Sequence, residues 1–471
     1  MIRLSTTFTI ACLITGTLLG AGCSNTPPVM PIASQTVATS GTPTPQPSQT
    51  PQPTEIAVLK LDPGLLKGVR LSFIHPWSGS LGQTVESITA EFNNENIWGI
   101  RVEIVAAGSS GEAFNLVNAS LESGKQPQIA AAPPEHIAAW TENKDLIVNL
   151  SPFINDAEWG IKPEEIKDFN PQIWNQTIFD DRQTSIPAQR SLQLIVYNQT
   201  WAEELGFRDI PQSPDQFRDQ VCAATHANLT DKNKEKIGTG GYIVTTDPNT
   251  QMAWMSAFDF DYSQISNEND YQFEQPAAEK SFSYLRQLFD KSCAWLSRNP
   301  LPFDYFAQRQ TIAYAASMLD LPEQEAALKA AGSSDDWTVI PFPGPEAKPV
   351  VLQNGLNYVL LKSNPPEELA AWLYLRWLML PRNQVRMIEA SGSLPLSQSA
   401  SDSLSDYRDQ HPQWNSAVSL SENSIIIPVQ SSWRIVKNVL EDATWQLYQP
   451  TLQPIPEILK QLDETIPDVI K

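Results

Sequence analysis

Short apolar runs alternate with stretches of helical periodicity from about residue 69 onward. The runs at 69–75, 101–106 and 128–132 predict strands, and between them apolar residues recur every three or four positions, as in an amphipathic helix. This strand-helix-strand order predicts a parallel sheet with helices on its faces. Ligands of such sheets bind beyond the carboxyl ends of the strands, so the residues that follow these three runs are candidates for a site.

The candidates in this part of the chain come directly after the predicted strands. They are Trp77 and Ser78 after the first strand, Ser109 and Ser110 after the second, and Glu135 after the third. Trp77 can contact a bound ligand or can be a packed surface aromatic, and the sequence leaves both interpretations open.

The segment 185–198 organises the rest of the chain. Its apolar run at 192–197 predicts a buried strand, which is entered through Pro187, a residue without an N–H that favours an extended connector. We expect this segment to cross between two α/β lobes, with its polar entry residues at the floor of the cleft. Those residues are Gln189, Arg190 and Ser191. Arg190 can pair with an anionic solute or with a carboxylate on a lobe surface, and both alternatives remain open.

The pattern beyond the crossover predicts a second lobe. A turn and strand at 238–246 are followed by Asp247 and Asn249, which begin a helix that carries Trp254. For Trp254 a position in the helical core is favoured over ligand contact. Later predicted elements are strands at 311–318, 336–341 and 353–360, a helix from Pro365, a loop at 391–405 and a helix at 433–447.

The first 23 residues have the pattern of a targeting segment. A single basic residue, Arg3, precedes an uncharged apolar run that is too short to span a bilayer, and the segment ends in L-G-A-G-C. The small residues before Cys23 resemble a bacterial lipobox, although Gly20 stands where Leu is usual. We therefore expect cleavage before Cys23, lipidation of that residue and a mature chain anchored outside the cytoplasmic membrane. A plain secretory signal is the alternative.

Residues 24–63 are rich in Pro, Thr, Ser and Gln and have no hydrophobic period. Such a segment cannot bury enough apolar surface to offset its ordering entropy, so a disordered tether is predicted. The remaining 400 or so residues are too many for one core and favour two lobes.

The chain is acidic, with 53 Asp and Glu against 32 Lys and Arg, a net charge of −21 that becomes −22 when Arg3 is removed. This charge argues against nucleic acid or anionic lipid headgroups as partners. Of the four cysteines, Cys12 lies in the signal segment and Cys23 is expected to carry lipid. Cys222 and Cys293 remain, and export favours a disulfide between them over two buried thiols.

Motifs for catalysis are weak. The four His residues show no metal-ligand spacing, no G-x-S-x-G elbow is present, and the adjacent acid pairs at 180–181 and 335–336 are typical of caps or solvated surface. No cofactor or metal is expected.

Several segments resemble the family 1 extracellular solute-binding proteins, the sugar and glycerol-phosphate receptors of ABC importers that are akin to maltose-binding proteins. They are F-N-x-x-N at 92–96, G-x-x-x-x-x-F at 108–114, P-A-Q-R-S-L-Q-L-I-V-Y-N-Q-T-W at 187–201 and Q-N-G-L-N-Y-V-L-L at 353–361. The resemblance covers about residues 68–450. It departs at Arg309, where the family usually has Gly in a turn before the returning strand.

The resemblance implies an α/β fold of two periplasmic-binding-protein-like lobes, each a sheet flanked by helices, joined by three crossovers near Pro187, Ala315 and Leu361. Residues 64–187 and 306–361 are expected to form the first lobe, and residues 188–305 and 362–471 the second. The apolar helix from Pro365 is thereby placed in the second lobe.

The resemblance also implies a function and further site residues. Regions that line the cleft in the family align with Asn249, Asp320, Asn354, Gly355 and Trp433. The expected role is capture of a sugar or oligosaccharide, or of glycerol phosphate, by a monomeric lipoprotein that delivers it to an ABC permease. A secreted lipoprotein glycoside hydrolase, which needs two carboxylates across a cleft, and a solute-sensing receptor without transport are the alternatives.

Overall fold

The computed structural model describes residues 59–144, 146–179, 181–345, 349–450 and 453–470. The predicted signal segment, Cys23 and the predicted tether up to residue 58 lie outside the described residues. Packing begins before residue 64, where the tether was expected to end. Leu59 and Leu61 pack against the core, and the Leu59 N–H donates to the Asp156 carboxylate at 2.5 Å.

The described residues form α-helices and β-strands in alternation. The strands are β1 Arg70–His75, β2 Arg101–Ala106, β3 Ile129–Ala132, β4 Ile178–Phe179, β5 Arg182–Gln183, β6 Ile186–Asn198, β7 Gly240–Val244, β8 Ala294–Leu296, β9 Thr311–Ser317, β10 Trp337–Ile340, β11 Phe342–Pro343, β12 Pro349–Val350, β13 Leu352–Leu360 and β14 Ile425–Ile426. The helices up to the end of β13 are α1 Gly79–Glu95, α2 Ser110–Glu122, α3 Pro134–Lys144, α4 Ser151–Ile154, α5 Pro163–Asp168, α6 Pro171–Asn175, α7 Gln199–Glu204, α8 Pro214–Thr230, α9 Pro248–Ala257, α10 Pro276–Asp290, α11 Phe303–Ala307 and α12 Leu321–Ala331. The later helices are α13 Pro365–Leu378, α14 Pro381–Ser391, α15 Gln398–Asp402, α16 Ser405–Gln410, α17 Pro412–Leu420, α18 Trp433–Gln446 and α19 Ile455–Val469.

Ten of these strands form one hydrogen-bonded sheet, in the order β2-β1-β3-β13-β6-β9-β7-β8, with β10 beside β6 and β14 beside β13. The pairs β1–β2 and β1–β3 are parallel, which confirms the parallel order predicted for the first part of the chain. The pairs β7–β8 and β7–β9 are parallel as well. The pairs that join the two parallel ends are antiparallel, because β6 and β13 run between them. We call the elements packed around β1, β2 and β3 the first lobe, and those packed around β7, β8 and β9 the second lobe.

Two strands connect the cores of the two lobes. In β6, Ile186 packs in the core of the first lobe and Tyr197 in that of the second. β13 runs in the opposite direction, with Leu352 in the core of the second lobe and Leu360 in that of the first. The predicted strand at 192–197 is therefore part of a longer crossover, and all thirteen residues of β6 are buried.

The course of the chain after β8 differs from the prediction. The strand β9 was expected to return to the first lobe near Ala315, but Ile312 shares a core with Trp254 and β9 lies beside β7, so it belongs to the second lobe. Conversely, α13 was placed in the second lobe but packs in the first, where the Trp377 indole N–H donates to the Ile88 carbonyl of α1 at 3.1 Å. Apolar spacing predicts that a segment is buried. It does not predict which lobe the segment packs against.

Several local predictions have outcomes in the structure. Cys222 and Cys293 form a disulfide with Cα atoms 4.3 Å apart, as expected. Arg309 has the left-handed φ of 55° that the resemblance would give to Gly, and its guanidinium is held by ion pairs with Glu204 and Asp335 at 2.6 Å each. The predicted loop at 391–405 instead contains helix α15. Within the described residues, no helix is long and apolar enough to cross a membrane.

Candidate functional site

A cavity of about 720 Å³ lies where the carboxyl ends of the first-lobe strands face the second lobe. From the first lobe it is lined by segments that follow β1, β2 and β3; the crossover strands β6 and β13 contribute its central residues, and α9 and α18 line it from the second lobe. The lining residues are 76–77, 109–111, 114–115, 133–136, 176, 189–191, 193, 249, 317, 319, 353–356, 426–430, 433–434 and 437–438.

Four helices begin at this cavity. Ser109 caps α2 by accepting a hydrogen bond from the Glu112 N–H, Glu135 lies in the first turn of α3, and Asn249 lies in the first turn of α9. Trp433 is the first residue of α18, which has no side-chain cap. Because the N-terminus of a helix carries a partial positive charge, the four helices together raise the electrostatic potential of the cavity.

Arg190 lies between the crossover strands and is almost completely buried, with 1 % of its surface exposed. Its Nη1 donates to the carbonyls of Gln189 and Leu356 at 2.9 and 2.8 Å, and its Nη2 donates to Asn357 Oδ1 at 2.7 Å. None of these acceptors is charged, so of the two alternatives left open for Arg190, a salt bridge to a carboxylate on a lobe surface is not found among the described residues. Burial lowers the pKa of the guanidinium to about 9.

The local backbone is shaped to hold this side chain. Opposite Leu356 and Asn357, β6 presents Gln189 and Pro187, so Ala188 is an additional residue that forms a bulge. Pro187 has no N–H to donate, so interrupting the hydrogen-bond ladder between β6 and β13 at this point costs little free energy. The bulge leaves the Leu356 carbonyl free to accept from Arg190.

Charged contacts join the two lobes across the cavity. Lys437 of α18 pairs with Glu135 of α3 at 2.7 Å. Burial raises the pKa of the Glu135 carboxyl, but the charge and hydrogen bond of Lys437 outweigh that effect, and the pKa lies below its usual value. On the preceding turn of α18, the Arg434 guanidinium lies 5.1 Å from the ring centre of Phe114 in α2. Beside them, burial lowers the pKa of His136 to about 4.

The aromatic residues of the cavity are largely packed. The Trp77 ring meets Phe73 and Tyr358 edge-on, and its indole N–H donates to Gln189 Oε1 at 3.0 Å. Trp433 packs edge-on against Tyr271, and its indole N–H has no hydrogen-bond partner among the described residues. Trp77 is therefore packed and also lines the cavity, and its contact with a ligand stays a prediction.

Amides and hydroxyls make up much of the remaining lining. Ser191 and Ser317 share a hydrogen bond of 2.7 Å, and Gln193 donates to Thr250 Oγ1 at 2.8 Å. Other buried polar atoms of the lining have no partner within the described part of the chain: Gln353 Nε2, Gln176 Nε2, Asn249 Oδ1, His136 Nδ1 and Arg190 Nε. Since buried polar groups are normally hydrogen-bonded, these atoms lack partners that a polar molecule or an ordered water in the cavity could supply.

The structure brings together ten of the thirteen residues predicted to bind a ligand, from both lobes and both crossovers. They are Trp77, Ser109, Ser110, Glu135, Arg190, Ser191, Asn249, Asn354, Gly355 and Trp433.

Three predicted ligand-binding residues do not line the cavity. Ser78 is exposed at the beginning of α1, where its carbonyl accepts from the Gly82 N–H. Trp254 is fully buried in the second-lobe core and donates to the Tyr242 hydroxyl at 3.2 Å, as the core interpretation favoured. The Asp320 carboxylate folds back to accept from the Ser317 N–H, and burial raises its pKa to about 6.

Other lining residues were not predicted as ligand-binding from the sequence. His136 and Lys437 carry no motif, and Arg434 is one of many exposed residues on an amphipathic helix. Their positions in the sequence could have indicated them. His136 follows the predicted residue Glu135, and Arg434 and Lys437 lie in the first turns of the helix that begins at Trp433.

Comparison with known proteins gives a consistent picture. The family model of the bacterial extracellular solute-binding proteins matches residues 87–419. No curated protein sequence matches the chain. Among solved structures, a cyclic alpha-maltosyl-1,6-maltose binding protein from Arthrobacter globiformis is 16% identical, with a TM-score of 0.69 over 86% of this chain and 99% of its own.

Two further structures are similar to the same degree. The sugar-binding protein MalE from Xanthomonas citri is 14% identical, with a TM-score of 0.70 over 85% of this chain and 97% of its own. UgpB from Mycobacterium tuberculosis, solved in complex with glycerophosphocholine, is 16% identical, with a TM-score of 0.69 over 85% of this chain and 98% of its own. At these identities the likeness establishes the two-lobed α/β fold. Because the family model spans most of the sequence, the chain belongs to the bacterial extracellular solute-binding proteins.

Proposed function

We propose that this protein is the substrate-binding lipoprotein of an ABC importer, which captures a hydroxylated solute between its two lobes and delivers it to a membrane permease. A sugar or oligosaccharide is the favoured class, with glycerol phosphate as the alternative. The observation that carries the proposal is the cavity, which is lined from both lobes and both crossovers and holds unpaired buried polar atoms.

The mechanism follows from the placement of these contacts. A solute that bonds to residues of both lobes makes all of its contacts only when the lobes are close together, so binding shifts the protein toward the closed form. The permease would then distinguish the loaded protein by its closed shape. The lipid on Cys23 would keep the protein at the membrane surface, and the residues after it would serve as a tether.

The composition of the lining supports binding over hydrolysis. Among the described residues, Glu135 is the one carboxylate that lines the cavity, and it is paired with Lys437. Hydrolysis of a glycosidic bond by the usual mechanisms needs two carboxylates on opposite sides of the bond. A chromogenic glycoside panel tests this alternative directly, since release of the chromophore would favour the hydrolase.

The test of the proposal is a thermal-shift screen of the purified protein with sugars, oligosaccharides and glycerol phosphates. A ligand at a hundredfold excess over its Kd should stabilise the protein by about 2.7 kcal/mol. Replacing Gln353, which lines the cavity and has an unpaired amide nitrogen, by Ala should reduce the shift. Replacing Gln287, which lies in a separate surface groove, should leave it unchanged. If no compound shifts the transition, or if both variants behave alike, the proposed site is wrong.

A neighbouring permease gene would separate transport from sensing, because a sensory receptor shares the fold and differs in its membrane partner.

A further inference from the structure

A buried cation of the cavity has no carboxylate partner in the part of the chain that the structure describes. The three hydrogen-bond acceptors around the Arg190 guanidinium are neutral, and Nε has no partner among the described residues. Buried charges in proteins are normally paired, because an isolated charge loses its hydration without compensation. The side chain lines the cavity, so a molecule bound there can supply the missing negative charge.

A second cation of the cavity is also without an ion pair. Arg434 is exposed, stacks on Phe114 and makes no salt bridge within the described residues, whereas Lys437 is neutralised by Glu135. The charged residues of the lining are thus three cations and one carboxylate. In the whole chain, by contrast, acidic residues outnumber basic ones by 53 to 32. The cavity therefore reverses the charge balance of the protein around it.

The unpaired donors of the cavity favour the same kind of ligand. The unpaired Trp433 Nε1 and Arg190 Nε can only donate, and neither has an acceptor among the described residues. Trp433 also begins α18, and three other helices of ten residues or more begin at the cavity, each with its positive end there. Carboxylate and phosphate groups offer acceptors alone and carry the charge that these helix ends attract.

We propose that the solute carries an anionic group, a carboxylate or a phosphate, which the cavity holds near Arg190 and Arg434. The inference rests on the proposed function and narrows its substrate class from hydroxylated solutes in general to acidic ones, such as uronates or phosphate esters. Binding would then supply a counter-ion to a guanidinium that the fold has already buried.

The experiment compares matched compounds by isothermal titration of the purified protein. The pairs are glucose with glucuronate, glucose with glucose 6-phosphate, glycerol with glycerol 3-phosphate, and neutral disaccharides with their uronate counterparts. We expect the anionic member of at least one pair to bind about tenfold or more tightly than the neutral one. This preference should weaken as salt is raised from about 50 to about 300 mM, because Arg434 is exposed to screening. The pair that responds identifies carboxylate or phosphate as the group.

Two arginine variants test the recognition itself. Arg434→Gln removes one unpaired cation and should lower affinity for the anionic member about tenfold while changing that for the neutral member little. Arg382→Gln is the matched control, because Arg382 is also exposed and stacks on an aromatic ring, that of Trp377 at 4.6 Å, but does not line the cavity. Arg190→Met should reduce the same preference, with a thermal melt to show that it folds.

The possible results separate the two proposals. If neutral members bind as tightly as their anionic partners, or if Arg434→Gln weakens both members equally, the anionic inference is overturned and the proposed function stands. If no compound of either kind binds, the proposed function itself fails, and the inference fails with it.

Discussion

The position of Arg190 depends on a glycine in the neighbouring strand. A Cβ atom on Gly355 would lie 2.3 Å from the Gln189 carbonyl oxygen and 2.6 Å from Arg190 Cδ, so the strands can approach here only without a side chain. We predict that Gly355→Ala lowers the free energy of unfolding by about 1–3 kcal/mol through overpacking and displaces the guanidinium from the cavity. Urea unfolding measures the first effect and ligand titration the second.

Gly111 provides the matched control for that substitution. It also lines the cavity, but a Cβ atom there would meet no atom within 4 Å, and it lies in helix α2, where Ala is the better helix former. Gly111→Ala should therefore keep or slightly raise stability. Equal stability of the two variants would contradict the close approach at Gly355.

A second residue-scale prediction concerns His75, which is fully buried between aromatic rings with neither ring nitrogen hydrogen-bonded among the described residues. Burial lowers its pKa from 6.5 to about 4, so the unfolded chain binds the proton more readily than the folded one. The contribution of neutral His75 to the free energy of unfolding is therefore fully present above pH 6.5. It is lost as pH falls from 6.5 to 4 and does not change further below pH 4. The loss amounts to about 3 kcal/mol.

The measurement must separate His75 from groups that titrate in the same range. Asp320, whose pKa is raised to about 6, has the opposite sign and gains stability as pH falls, while His136 has the same sign as His75. We therefore compare His75→Leu with the parent protein by urea unfolding at pH 7 and at pH 4. The quantity compared is the free energy of unfolding that each protein loses between the two pH values. The parent should lose more stability between these values, and the exposed His226→Leu should follow the parent. Parallel profiles for all three would refute the assignment.

At the scale of elements, the sequence predicts which segments are buried better than it predicts their neighbours. Short apolar runs locate β1, β6 and β13 because a strand that is largely buried has few polar residues. The same pattern could not assign β9 or α13 to a lobe, since Ile312 and Trp372 would be apolar in either core. The lobe in which each segment packs is decided by contacts with residues that are distant in the sequence.

The candidate site shows the same limit. Residues directly after strands were predictable because topology places them at one edge of the sheet. Arg434 and Lys437 were not, because their role depends on α18 meeting α2 and α3 across the cavity, a contact with no local signal in the sequence.

The disulfide provides a prediction for one element pair. It joins Cys222 of α8 to Cys293 just before β8, closing 71 residues of the second lobe, and neither residue lines the cavity. Replacing both cysteines by Ser should lower the free energy of unfolding by about 4 kcal/mol, because the unfolded chain regains the entropy of an open loop. Ligand affinity of the folded variant should be unchanged. A midpoint of urea unfolding equal to that of the parent would contradict a stabilising role, and reduction of the parent is expected to reproduce the variant.

At the scale of the whole molecule, the contacts across the cavity would oppose the separation of the lobes that the proposed function requires. The core residues of α18 pack with the second lobe, yet its Lys437 and Arg434 contact Glu135 and Phe114, which belong to the first. These contacts can form only when the lobes lie close together, so in the proposed mechanism they would stabilise the closed form with or without a solute. Because Arg434 is exposed, its contact with Phe114 is worth about 1 kcal/mol or less, which a bound solute can easily exceed.

We predict that Glu135→Gln shifts the unliganded protein toward an open form, since it removes the Lys437 ion pair while keeping the size of the side chain. Without ligand, small-angle scattering should show a larger radius of gyration for this variant than for the parent. When both are saturated with ligand, they should share the same smaller value.

Glu91→Gln is the control, because its ion pair with Arg386 at 2.8 Å joins α1 and α14 within the first lobe and does not span the cavity. If Glu91→Gln opened the molecule as much as Glu135→Gln, the cross-cavity pair would have no special role. If the parent scattered identically with and without a tightly bound solute, capture would not be coupled to lobe movement at all.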